Sequence, residues 1–498
     1  MPFFLRALAN CKVLALALAL LLGAAASAVA QNSEIYPFYT SDKSRVDSLA
    51  TVCGMSIERS LNVPNGVKNA YRNTYKAIIE RTAMETYGRV RTTALLDTVL
   101  EPFVQSVFQT LKAANPSLHK SKVILTRSPL ANAYALADGT VFINIGLLAK
   151  LSNEAQLAFI LSHELAHVEL RHMQAGIEEH LDLIFSKEFK KEYKKVAREK
   201  YNRTKKMEAL LERVSLNTLY HKRSNEMQAD SLGFRIFANT QYNQADAYTA
   251  LELLDTVDEP LSTAPLALEK YFSCEQAKYN FDEKQAPSES IFEVEKEQPK
   301  FANSDSLKTH PDCQKRMAYL RELSPGIEQR AVNSGKPTDS MQRVNMVSRI
   351  ELVQSWFDFE NYDFALFEAL LLLEKEPASI YARNMVTLSL YGLKRLLQAH
   401  TFSEAVSTSA PQFSANINMF LDALNNLNTS DFKGFAACFS QKYPSKEPIS
   451  EFDLAASYTV AELTGEQDAA DQARLKYQSQ YSAGRFFNLL FSEQPSPH

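Results

Sequence analysis

The chain has 498 residues, 45% hydrophobic and 22% charged, an ordinary globular composition that is long enough for two or three domains with cores of their own. Its formal net charge of -4 lacks the basic footprint that phosphate binding leaves, which argues against nucleic acid as a partner. Residues 1–30 read as a secretory signal: Arg6 and Lys12 supply positive charge, Val13 to Leu22 is apolar, and Ala28-Val29-Ala30 offers a small-x-small cleavage site before Gln31. An uncleaved anchor is the alternative, although the apolar run is short for a bilayer span. The expectation is therefore an exported, periplasmic protein, soluble or at most peripherally associated with a membrane. Of the five cysteines, Cys11 would leave with the signal, and Cys53, Cys274, Cys313 and Cys438 would remain. Cys274 with Cys313 is the favoured disulfide, and free buried thiols are the alternative.

Residues 46–114 are mostly helical in pattern, with Leu96, Val99, Phe103, Val107 and Leu111 on one face and Pro102 positioned to start or kink a helix. Residues 122–126 read as a strand, and residues 132–145 alternate around a turn at Asp138-Gly139, as a hairpin does. A helix capped by Asn153 then runs through Leu161 and Leu165 to about His172. Residues 187–206 hold ten Lys or Arg against three Glu over a Phe189, Tyr193, Val196 stripe. A solvated helix face accounts for this pattern, and contact with an anionic membrane surface or service as a lid is the alternative. Residues 280–309 read as a loop, and residues 324–340 as a Pro/Gly/Ser linker. Beyond it the pattern is helical again, and residues 362–377 resemble the second half of a tetratricopeptide repeat with Trp356 in the preceding helix. A second, weaker helical pair would occupy residues 378–408. The resulting architecture is α+β and mostly α: a signal over 1–30, a mixed domain with a small sheet over 31–335, and an all-α repeat-like domain over 340–498.

The chemistry-bearing motif is His163-Glu164-Leu165-Ala166-His167, an H-E-x-x-H sequence within a helix, where residues four apart share a face and can aim two imidazoles at one ion. Catalytic zinc usually takes three protein ligands and leaves a fourth position for water. Glu164, beside a ligand, is placed to take a proton from that water, so one Zn²⁺ per chain and peptide hydrolysis are the natural inference. Metzincins are disfavoured, since Leu170 and Met173 stand where that class has Gly and His. A second helix carries Glu226 and Asp230 one turn apart. Glu226 can supply the third ligand, and Asp230 can accept a hydrogen bond from the outer nitrogen of a ligand histidine. His172 lies five residues past His167, off the ligand face of a continuous helix, and reads as structural.

The chain resembles the HtpX-like and CAAX-prenyl-protease-type family of zinc metallopeptidases, particularly its soluble periplasmic branch with a tetratricopeptide tail. The resemblance rests on Asn132-Ala133-Tyr134-Ala135, Gly146-Leu147-Leu148, the H-E-x-x-H helix, the Arg223, Glu226, Ala229, Asp230 pattern, and His310-Pro311 followed by Arg316. It implies zinc held by His163, His167 and Glu226, catalysis by Glu164, and an edge strand of Val141, Phe142, Ile143 and Asn144 that pairs with substrate backbone. It also suggests quality control of envelope proteins. Two departures stand out: Asp138-Gly139-Thr140 replaces the more usual glycine pair, and the stretch after His172 is charged where membrane-spanning relatives place apolar segments. The second departure puts prenylated substrates in doubt. His310 has three open roles: oxyanion stabilisation, a self-inhibiting plug at the fourth zinc position, or a cap for the helix near Pro311. Protein or peptide substrates are the expected partners, with an envelope partner recruited by the helical tail. The competing function is a chaperone or adaptor whose metal site is latent.

Overall fold

The computed structural model describes residues 36–37, 43–214, 223–257, 266–275, 313–410, 413–444 and 450–491. The expected signal segment and His310 lie outside the described residues. Helices α1 (Lys43–Ser60) and α2 (Asn69–Thr93) pair at the amino-terminal end and are followed by α3 (Leu100–Ala114). Pro102 sits in the first turn of α3, where its missing amide hydrogen costs nothing, and Asp97 accepts hydrogen bonds from the Val99 and Leu100 amides.

The sheet has three strands, β1 (Lys122–Thr126), β2 (Ala133–Ala135) and β3 (Thr140–Asn144), in the order β1-β3-β2. β3 pairs in parallel with β1 and antiparallel with β2. The hairpin turns where expected, with Gly139 at φ +85° and the Asp138 carboxylate accepting from the Thr140 amide at 3.0 Å. Side chains alternate between two cores, as the pleat requires. Val123, Leu125, Val141 and Ile143 join the main core, while Ile124 and Phe142 pack with Ala50, Cys53 and Val90 of the first two helices. Apolar layers cover both faces, which is why every residue of β3 is buried. This topology corrects one expectation. Val141, Phe142, Ile143 and Asn144 form the central strand, with backbone groups bonded on both sides, so they offer no edge to a substrate; β2 is the edge on that side.

After a short helix, α4 (Ile145–Leu148), the buried helix α5 (Glu154–Glu169) runs through the middle of the molecule. Helices α6 (His172–Phe185), α7 (Lys187–Ala197) and α8 (Arg203–Arg213) lead away from it, and α9 (Arg223–Ala238) returns to pack along it. Only Val196 of the basic helix α7 is buried; its lysines face solvent. Helices α10 (Asp246–Asp255), α11 (Leu268–Phe272), α12 (Cys313–Leu323) and α13 (Ile327–Ala331) complete this half.

The second half consists of helices: α14 (Asp339–Asp358), α15 (Tyr362–Lys375), α16 (Ile380–Gln398), the single turn α17 (Phe402–Ala405), α18 (Ala415–Asn425), α19 (Thr429–Lys442), α20 (Glu451–Thr464), α21 (Gln467–Gln480) and α22 (Phe487–Phe491). Trp356 of α14 stacks on Phe364 of α15 with ring centroids 4.7 Å apart. α14 also packs on α4, where the Asn345 side-chain amide donates to the Leu148 and Leu151 carbonyls at 2.8 and 3.0 Å. Asp358 joins Arg127, just past β1, to Arg485 near the carboxyl end, at 2.5 and 3.1 Å. One continuous set of buried side chains runs from Leu95 to Leu490. The disulfide links Cys274 to Cys438 of α19, which corrects the expected pairing with Cys313; Cys313 and Cys53 are buried cysteines outside that disulfide.

Candidate metal centre

Asn153 adopts an extended backbone and accepts a hydrogen bond from the Gln156 amide at 3.0 Å, so α5 starts in a fixed register. Every residue from Ala155 to His167 is buried, as in a helix surrounded by protein on all sides. α9 crosses it at Gly233, where a Cβ would lie 2.9 Å from the His163 Cα. The absence of a side chain there brings Glu226 and Asp230 within reach of the two imidazoles.

His163, His167 and Glu226 converge: one ligand atom from each lies within 4.8 Å of the others. The His163 and His167 Nε2 atoms are 3.1 Å apart, and the Glu226 carboxylate oxygens lie 3.3 and 3.5 Å from them. Two imidazole nitrogens and one carboxylate are a donor set that suits zinc and leaves one position open. The outer nitrogens are held as well. Asp230 meets His163 Nδ1 at 2.9 Å, and the Arg316 guanidinium of α12 donates to the two oxygens of Asp230 at 2.8 and 2.7 Å. A further Arg316 nitrogen lies 3.5 Å from Glu226.

These contacts set the charges. Burial works against the Asp230 carboxylate, but the Arg316 guanidinium more than offsets it and holds the group at about 2. Burial and the Arg316 charge oppose protonation of His163, whereas hydrogen bonds with Asp230 and Glu226 bring it up to about 9. Burial pushes the Glu164 carboxyl up to about 8, with the His163 charge working against the shift and the Glu226 charge adding to it. A backbone hydrogen bond from Ala135 of β2 also acts on Glu164, in the lowering direction. A small cavity beside Glu164 is lined by Ala133, Leu147, Phe159, Ile160, His163, Leu254 and Arg316. A group that can hold or release a proton near neutral pH thus sits between a sheet edge and a metal-binding cluster.

Two participants carry no motif of their own in the sequence. Arg316 figured only in the family pattern, with no role; the signal available was Asp230 itself, since a carboxylate buried beside a ligand needs a cation. His172 would lie off the ligand face of a continuous helix, yet its Nδ1 lies 2.9 Å from the His167 Nδ1. The helix does not continue through it: α5 ends at Glu169, Arg171 takes the left-handed conformation at φ 56°, and α6 starts at His172.

The comparisons with known proteins agree with this geometry. Residues 98–324 match the model of peptidase family M48. A mitochondrial metalloendopeptidase OMA1 from Arabidopsis thaliana is 28% identical over 154 residues, a match that covers 29% of this chain and 29% of that relative. The matched segment includes α5, α9 and Arg316, so over residues 98–324 this chain is similar to the metallopeptidase domain of family M48, with the metal-binding side chains just described inside the match.

Proposed function

We propose that the chain is an exported, zinc-dependent endopeptidase whose ion is held by His163, His167 and Glu226. The observation that carries this is the convergence of those three side chains with Glu164 one position from His163. A zinc ion held there supplies Lewis-acid polarisation and lowers the pKa of water toward about 7. Glu164 accepts the proton of the attacking water on its carboxylate and returns it to the leaving nitrogen. Asp230 and Arg316 keep His163 oriented with its Nε2 toward the cluster. β2, the sheet edge nearest Glu164, takes the place of Val141 to Asn144 as the strand beside which a peptide segment aligns.

The amino-terminal signal pattern and the Cys274–Cys438 disulfide support an oxidising, extracytoplasmic location such as the periplasm, where exported or envelope proteins are the substrates. The helices from α14 onward, whose sequence resembles a tetratricopeptide repeat over residues 362–377, would serve in substrate or partner recruitment.

The test is cleavage of casein by the zinc-loaded chain with and without a chelator. Glu164→Gln is expected to retain zinc and lose about 10²- to 10⁴-fold in hydrolysis, and His163→Ala to lose the metal too. Undiminished hydrolysis by Glu164→Gln would remove the proton role from that residue, and cleavage indifferent to chelation would remove zinc. His310→Ala belongs in the same series: a fall in rate assigns it to the oxyanion, a rise to a plug.

A further inference from the structure

The two ligand histidines are anchored by unlike groups. His163 Nδ1 faces Asp230, a carboxylate clamped by Arg316. His167 Nδ1 faces His172 Nδ1 at 2.9 Å, and on the far side of that ring His172 Nε2 lies 3.5 Å from the Gln228 side-chain oxygen. His172 is buried, with 4% of its surface exposed, and its ring stands 75° to that of His167 with centroids 4.9 Å apart.

The direction of each hydrogen bond in this line is fixed by chemistry. His167 presents Nε2 to His163 and Glu226, so a metal bound there uses the Nε2 lone pair. A neutral His167 ring then carries its hydrogen on Nδ1 and donates it to His172. His172 must accept through an unprotonated Nδ1, which places its own hydrogen on Nε2. That hydrogen points to Gln228 Oε1, an atom that can only accept.

We propose that His172 is a positioning residue for the metal centre: it selects the Nδ1–H tautomer of His167 and fixes the plane of that ring, with Gln228 selecting the tautomer of His172 in turn. The inference rests on the metal reading above. It adds a neutral anchor to the charged one on His163, so one ligand imidazole gains electron density from a buried carboxylate and the other gains orientation alone.

The experiment measures zinc affinity by competition with a chromophoric chelator for the full-length wild type, His172→Phe, His172→Asn and His163→Ala, with the melting temperature of each metal-free protein alongside. His172→Phe fills the space without an acceptor, and its affinity is expected to fall by about 10- to 100-fold. His172→Asn places an oxygen where the Nδ1 atom stood and is expected to restore most of that loss, a rescue that packing alone would not produce. In nitrogen-15 histidine spectra of the zinc-loaded wild type, His172 should be neutral with its hydrogen on Nε2. Equal affinities for wild type and His172→Phe, or a doubly protonated His172, would overturn the inference while leaving the metal site standing. A wild type that binds zinc no better than His163→Ala would overturn both.

Discussion

Asp230 keeps its negative charge in a buried site because Arg316 grips both of its oxygens, and Arg316 is itself only 2% exposed. A pair of this kind is most visible when one member is removed. Asp230→Asn leaves the guanidinium buried without a full counter-charge and replaces an acceptor of the His163 Nδ1 hydrogen. Denaturant unfolding is expected to show a loss of about 3–5 kcal/mol, and zinc affinity to drop by about 10- to 100-fold. Wild-type stability in this variant would mean that water reaches Arg316. At this scale the sequence was legible where spacing alone fixes geometry: His163, Glu164 and His167 lie on one helix, and Glu226 and Asp230 sit one turn apart on another. It was illegible where a backbone break intervenes. His172 comes back to His167 because Arg171 turns left-handed, and Arg171 is neither the glycine nor the asparagine that announces such a turn.

Among the elements, the contact between α5 and α9 matters most, because each helix brings ligands that the other lacks. Gly233→Ala would set a methyl 2.9 Å from the His163 Cα and 3.0 Å from its nitrogen, and helix backbone cannot move aside as a flexible side chain can. The expected result is a destabilisation of about 1–3 kcal/mol, with weakened zinc uptake because Glu226 is pushed away from the imidazoles; an unchanged melting temperature would show that the crossing is looser than it stands. The helices themselves could be read from period and caps, as Asn153 demonstrates. Strand order could not. The hairpin of β2 and β3 was plain from Asp138-Gly139, but the parallel pairing of β1 with β3 joins segments that no local pattern relates, and it turned an expected edge into the centre of the sheet.

The molecule as a whole carries a pH dependence away from the metal. Glu368 on α15 is half-buried, and burial pushes its carboxyl up to about 7, against the pull of Lys150 and Arg349. An acid whose folded pKa exceeds its unfolded value of 4.5 contributes fully below pH 4.5, and the contribution is lost as pH rises through about 7. Glu368→Gln should therefore melt higher than wild type above pH 7 and match it near pH 4; a gain that persists at low pH would point to packing instead. The M48 match over residues 98–324 falls within the span 31–335 expected for the first domain. The partner of Cys274 could not be read from the sequence, because Cys438 lies 164 residues away and nothing local favours it over Cys313.

The unbroken core has a thermodynamic consequence. Buried side chains of α5 and α9, such as Leu165 and Ala229, belong to the same set as Leu388 of α16 and Ala455 of α20. An ion that binds only the folded arrangement adds about 2.7 kcal/mol at a hundredfold excess over its Kd, and in a cooperative unit that gain is shared by every residue that opens only on global unfolding. Amide hydrogen exchange at Leu388 and Ala455 should therefore slow when zinc is added, and stay unchanged in His163→Ala. The helical tail would serve as a remote gauge of metal occupancy.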